Sequence, residues 1–115
     1  MKRDWLLYLE DIEESLADVK KYTANLTLTD FRKKQLVQDA VIRRLAIIGE
    51  AANHLQKNFS QKYPKIPWKR IVGLRNLVIH EYFAVKLERI WKLIKRDVPK
   101  LKKQIEEIGN GLAEK

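Results

Sequence analysis

Apolar residues recur at a spacing of three and four through nearly the whole chain, and this repeat decides what it can fold into. Trp5, Leu9, Ile12, Leu16 and Val19 lie on one side of a helix drawn over residues 4–23, with charged residues opposite. The same period runs through Leu36, Val37, Ala40, Val41, Leu45, Ile48, Ala52 and Leu55 and predicts a second, long helix over about 30–58. A third is expected over 67–81. A fourth follows over 86–109, where Leu87, Ile90, Trp91, Ile94, Val98, Leu101, Ile105 and Ile108 form the stripe. Only four Gly and three Pro interrupt a chain rich in Leu, Ile, Lys and Glu, as an all-helical domain requires. The expected fold is therefore all-α, an up-and-down bundle of four to five helices.

The punctuation sets the boundaries. Asn25-Leu26-Thr27-Leu28 breaks the first helix, and Thr29 or Asp30 can cap the second. Tyr63-Pro64-Lys65-Ile66-Pro67-Trp68 is a rigid connection, and Pro67 suits a first helical turn. Pro99 should kink or split the fourth helix. Gly109-Asn110-Gly111 should end it, with a frayed tail from about residue 109. In the second helix, Gly49 with Ala51 or Ala52 would let another helix approach closely.

With 115 residues, the chain is long enough to bury one core without staples, so a single domain over 1–115 is expected. It has no cysteine, which excludes disulfides, zinc–thiolate centres and thiol redox chemistry. The two histidines lie far apart, without a His-x3-His pattern or a carboxylate cluster, so no metal site and no cofactor are expected. No apolar run approaches the roughly 20 residues of a membrane span, and the start lacks a signal-peptide pattern. A cytoplasmic protein without membrane contact is expected. Charge is unevenly placed. Residues 1–30 carry four Lys/Arg against seven Asp/Glu, whereas residues 31–115 carry 20 against eight. A basic body of this kind attracts polyanions, nucleic acid foremost.

One segment stands out chemically. Leu74-Arg75-Asn76-Leu77-Val78-Ile79-His80-Glu81-Tyr82 places a guanidinium, an amide, an imidazole and a phenol on a helical run. At about 100° per residue, Ile71, Leu74, Leu77 and Val78 cluster towards the core. Asn76 and His80 share one edge of the opposite arc, and Arg75 and Tyr82 share the other. Arg75 stays protonated and offers a planar fork for phosphate oxygens. His80 can take or give a proton near neutral pH. RNA brings its own nucleophile in the 2′-hydroxyl, so such a site needs no metal. Asn76 can orient the imidazole or bind the phosphate, and Tyr82 can stack on a base. Glu81 sets a carboxylate beside His80. Val72 and Ile79 lie inside the polar arc, which suggests a covered surface, most simply the same helix of a second subunit in a symmetric homodimer.

Other readings of single residues are plainer. Trp68 and Trp91 sit at core spacing and read as packing anchors. His54, near a helix end, is expected to meet terminal carbonyls. Arg43-Arg44 reads as a salt-bridging or phosphate-facing pair.

Taken together, Arg43-Arg44-Leu45-x2-Ile48-Gly49-Glu50-Ala51-Ala52 and Ile66-Pro67-Trp68-x2-Ile71-x-Gly73-x-Arg75-Asn76-x3-His80-x-Tyr82 resemble the HepT-like group of HEPN-domain proteins, over about residues 5–108. The resemblance implies a helical homodimer acting as a metal-independent endoribonuclease toxin. It assigns Arg75 and His80 as catalytic, Asn76 as the supporting polar residue, and Tyr82 as the acceptor of AMP from a cognate MntA-type minimal nucleotidyltransferase antitoxin. A non-catalytic adaptor that binds the nucleotidyltransferase and assists its nucleotide or substrate binding is the alternative. A regulator that binds nucleic acid through the basic body is weaker, because no helix-turn-helix pattern is present.

Overall fold

The computed structural model describes the backbone of residues 2–81 and 86–113, and the side chains of residues 4–76 and 86–111. Helix α1 spans Lys2–Thr23, α2 Leu28–Lys33 and α3 Gln35–Phe59. Helix α4 spans Trp68–Glu81 and α5 Leu87–Lys92. A π turn over Leu93–Asp97 joins α5 to α6, Val98–Ala113. Among the described residues there is no strand, and no helix is long and apolar enough to cross a membrane.

Helix α3 is the centre of the bundle, flanked by α1 and α4, while α6 packs against α1 and α2 against α5. Its stripe Val41, Leu45, Ile48, Ala52 and Leu55 is at most 1% exposed. Ile12, Val19, Ile90, Ile105 and Ile108 reach the same core from α1, α5 and α6. These positions thus do what their spacing demands, whereas Leu36, expected in the same stripe, lies in the first turn of α3 and is 86% exposed. Helix α1 ends as Asn25 turns left-handed, with φ 62°, a conformation an Asn tolerates better than most residues.

Two boundaries differ from expectation, each for a local reason, while the break at Pro99 is the one expected. The long second helix is two helices. Thr27, rather than Thr29 or Asp30, caps α2: its hydroxyl accepts from the Asp30 backbone N–H at 3.1 Å, and Asp30 accepts from the Thr27 N–H at 3.0 Å. This reciprocal pair starts the helix early. Phe31 then turns fully into the core against the Trp91 ring. The chain breaks at Lys34, where Gln38 Nε2 donates to the carbonyls of Phe31 and Arg32 at 2.8 and 3.1 Å.

Pro99 splits the fourth helix by widening it. A proline removes one donor and crowds the carbonyl four residues back, and the turn before it relaxes to i→i+5, with the Val98 N–H donating to the Leu93 carbonyl. The glycines near the C-terminus do not end α6, which runs on to Ala113. A Cβ at Gly111 would lie 2.6 Å from the Tyr63 hydroxyl. The glycine lets the connection before α4 pack on the helix, and that packing holds the turn which glycine alone would weaken.

Candidate functional site

Helix α4 is fixed at its start. The Pro67 carbonyl accepts the first helical bond from Ile71 N at 3.0 Å. Trp68 is buried, and its indole N–H donates to the Tyr63 carbonyl at 3.0 Å. Trp68 is thus the anchor expected of it. Trp91 is half-buried, with the Lys95 ammonium 4.7 Å from its ring centre.

Where α4 crosses α3, Gly49 leaves no room between the backbones. A Cβ there would sit 2.7 Å from the backbone nitrogen of Arg75 and 3.2 Å from the Ile71 carbonyl oxygen. This is the close approach expected of Gly49, and α4 is the helix that makes it. The crossing brings the next residue, Glu50, against Arg75, with Oε2 3.0 Å from Nε. Both side chains remain about half exposed, at 49% and 46%.

The other Glu50 oxygen lies 3.8 Å from His54 Nε2, one helical turn on. The His54 ring is stacked on Tyr8, with 4.3 Å between centres and planes parallel within 1°. His54 therefore leans on α1 and does not cap the end of α3. The outcome is a half-exposed row across three helices: Tyr8, His54, Glu50, Arg75. Asn76, next to Arg75, is exposed.

His80 lies on α4, one turn beyond Asn76, but its side chain falls outside the described residues, as does Tyr82 altogether. Of the four expected site residues, the structure therefore places Arg75 and Asn76. Val72 is partly buried against the chain's own core, so it does not need a second subunit to cover it. The side chain of Ile79, its counterpart in that expectation, is outside the described set. Arg44 forms the expected salt bridge, 3.2 Å from Asp18, while Arg43 is exposed. Among the described residues no group of three His, Asp or Glu could hold a metal ion.

Sequence reasoning assigned no role to Glu50 or Tyr8. For Glu50 a signal existed: a carboxylate directly after the small residue at a helix crossing must lie beside whatever crosses. For Tyr8 there was none, because the α1–α3 register is a tertiary fact.

The described residues thus form an all-helical bundle that presents an arginine and an amide on a half-open helix face of a strongly basic chain, a frame that suits an anionic ligand such as nucleic acid. The family model described as Ribonuclease HepT-like matches residues 12–108, and the chain belongs to that family. It is 45% identical over 105 residues to a Methanocaldococcus jannaschii protein named "Putative RNase", covering 91% of this chain and 96% of that one. It is 39% identical to the "Probable ribonuclease HepT" of Thermococcus cleftensis, over 94% and 98% of the two chains. A third relative, a "Putative RNase" of Caldanaerobacter subterraneus, is 41% identical over 88% and 90%. No solved structure matches the chain.

Proposed function

We infer that this protein is an endoribonuclease that cuts RNA without a metal ion, using Arg75 and His80 with support from Asn76. The observation that carries this reading is Arg75 itself. A half-exposed guanidinium, braced through its inner nitrogen by Glu50 on a helix locked to α3 at Gly49, is a preorganised charge waiting for an anion. The terminal amines of its fork are the donors left for phosphate oxygens.

In the reaction, His80 accepts the proton of the 2′-hydroxyl as that oxygen attacks phosphorus. Arg75 stabilises the charge that develops on the equatorial phosphate oxygens. The bond from phosphorus to the 5′-oxygen breaks, and that oxygen leaves with a proton. The products are a 2′,3′-cyclic phosphate and a 5′-hydroxyl end. Two protomers form a symmetric homodimer that brings two such sets into one cleft. The enzyme acts as the toxin of a toxin–antitoxin pair. AMP placed on Tyr82 by an MntA-type nucleotidyltransferase silences it, because a tethered phosphodiester competes for Arg75 at high effective concentration.

One experiment tests the reading. Protein made alone, and protein exposed to the nucleotidyltransferase with ATP, are incubated with RNA in EDTA. Wild type is compared with Arg75→Ala, His80→Ala and Tyr82→Phe. Cleavage to cyclic-phosphate ends is expected in wild type and in Tyr82→Phe, with losses of at least about 10²-fold in both alanine variants. Only Tyr82→Phe should escape silencing. His80→Ala cutting at the wild-type rate removes the assignment, and absence of cleavage by every form leaves the adaptor role.

A further inference from the structure

On the side of α4 away from Glu50, a second feature opens. Arg70 and Gly73 of α4 face Arg89, Lys92, Arg96 and Lys100 across a groove of about 450 Å³. The volume is in the range of pockets that take a nucleotide-sized ligand. Asp97 is the one acid among its lining residues and is paired with Arg70 at 2.9 Å. The other four cations are exposed and form no ion pair with any described residue. Isolated surface cations are common, but a groove with five of them and one acid is not explained by folding.

The π turn orders them. In an α-helix each residue advances about 100°, so side chains at i, i+4 and i+8 drift by about 40° at each step. Lys92, Arg96 and Lys100 have this spacing, and the wider turn over Leu93–Asp97 rotates less per residue. It takes back part of the drift and keeps the three cations along one wall. Four residues of helix advance about 6 Å, a repeat of the order of the distance between successive phosphates of an extended single strand. Three of the five cations, Arg70, Arg89 and Arg96, are arginines, so planar forks for phosphate line both walls.

We propose that this groove between α4 and the α5–π–α6 segment is a track for the phosphate backbone of single-stranded RNA, on the side of α4 away from Arg75. The inference rests on the ribonuclease reading and deepens it: the substrate is an unpaired strand, gripped by its backbone outside the point of cutting. Such a grip is insensitive to base sequence and strongly salt-dependent.

A second basic cleft supplies an internal control. It lies between α1 and α6 and is lined by Lys20, Lys95, Lys102 and Lys103 with Glu106, none of them on α4. In a His80→Ala background, which keeps RNA intact, binding of a fluorescein-labelled oligouridylate is followed by anisotropy over a range of salt. The triple change Lys92→Gln, Arg96→Gln, Lys100→Gln should weaken binding by at least about tenfold. It should also lower the slope of log affinity against log salt by about 2, at about 0.7 per lost phosphate contact. Neutralising Lys20, Lys102 and Lys103 should change both far less.

Gly73→Glu provides a second route to the same answer. A Cβ at Gly73 meets nothing within 4 Å, so a side chain can start there, and a carboxylate on this groove-lining residue should also weaken binding. Equal losses from the two triple variants would reduce the effect to overall charge and overturn the proposal. Polyglutamate binding the groove more tightly than oligouridylate at equal charge would overturn it in favour of an acidic protein. The outcomes separate from those of the cleavage assay. Groove-dependent binding by an inactive protein removes the nuclease and keeps the track, whereas cleavage with groove-independent binding does the reverse.

Discussion

If Arg75 serves phosphate as proposed, the carboxylate 3.0 Å from it has two opposed effects on that role. It restrains a long side chain that would otherwise lose rotamer freedom on binding, and it repels the incoming anion. With both partners about half exposed, the pair contributes little to stability, of the order of 0.2–1 kcal/mol. A phosphate can therefore compete with it. Glu50 is best understood as a positioning residue for Arg75. Glu50→Gln keeps the shape and an acceptor but removes the charge. It should lower KM for RNA, as repulsion disappears, and lower kcat severalfold, as the guanidinium is held less firmly. A merely structural role would not divide the two constants this way. Steady-state kinetics in which both move in parallel, or neither moves, would remove Glu50 from the site.

The crossing of α3 and α4 decides whether Glu50 and Arg75 meet at all. It depends on Gly49, whose missing side chain leaves the Arg75 backbone nitrogen 2.7 Å from where a Cβ would be. Backbone cannot step aside as a side-chain tip can. Gly49→Ala should therefore cost about 1–3 kcal/mol as overpacking, offset only partly by alanine's better helix propensity. Urea unfolding measures the loss, and RNA cleavage should fall with it because α4 is pushed off the Glu50 side. A stable, fully active Gly49→Ala protein would show that the crossing does not depend on Gly49. The crossing also marks how far the sequence could be read. The helical stripes, the small-residue approach at Gly49 and the Trp68 anchor were legible because each is a local pattern with a single physical meaning. The α2–α3 break was not, since it depends on Phe31 finding a place beside Trp91. Nor was the continuation of α6 past Gly111, which depends on Tyr63. Of the proposed site, Arg75 and Asn76 are picked out by residue chemistry alone. The bridge to Glu50 and the Tyr8–His54 stack required the register between helices, which no spacing within one helix supplies.

At the scale of the whole molecule, the bundle closes where α6 returns to α1, and that seam carries like charges. Glu13 of α1 is held above the ordinary glutamate range, first by partial burial and then by the carboxylates of Glu10 and Glu106. An acid whose folded pKa is raised holds its proton more tightly in the folded protein than in the unfolded chain. Its ionised form therefore opposes folding at neutral pH. That cost is fully present above the raised value. It disappears as pH falls from there to the ordinary range, below which the folded and unfolded states are both protonated. Asp30 works in the opposite sense. Its pKa is lowered by the hydrogen bonds with the Thr27 backbone and side chain, so its contribution is present at neutral pH and is lost as pH falls below the ordinary aspartate value. The two windows do not coincide, and the variants can be told apart. Glu13→Gln should raise the urea midpoint at neutral pH without changing the slope, and the gain should vanish as wild-type Glu13 takes up its proton in mildly acidic buffer. Asp30→Asn should lower the midpoint at neutral pH and converge on wild type only in stronger acid. A Glu13→Gln gain that persists unchanged into strong acid would mean that packing at the seam, rather than the charge on Glu13, limits how tightly α6 closes the bundle.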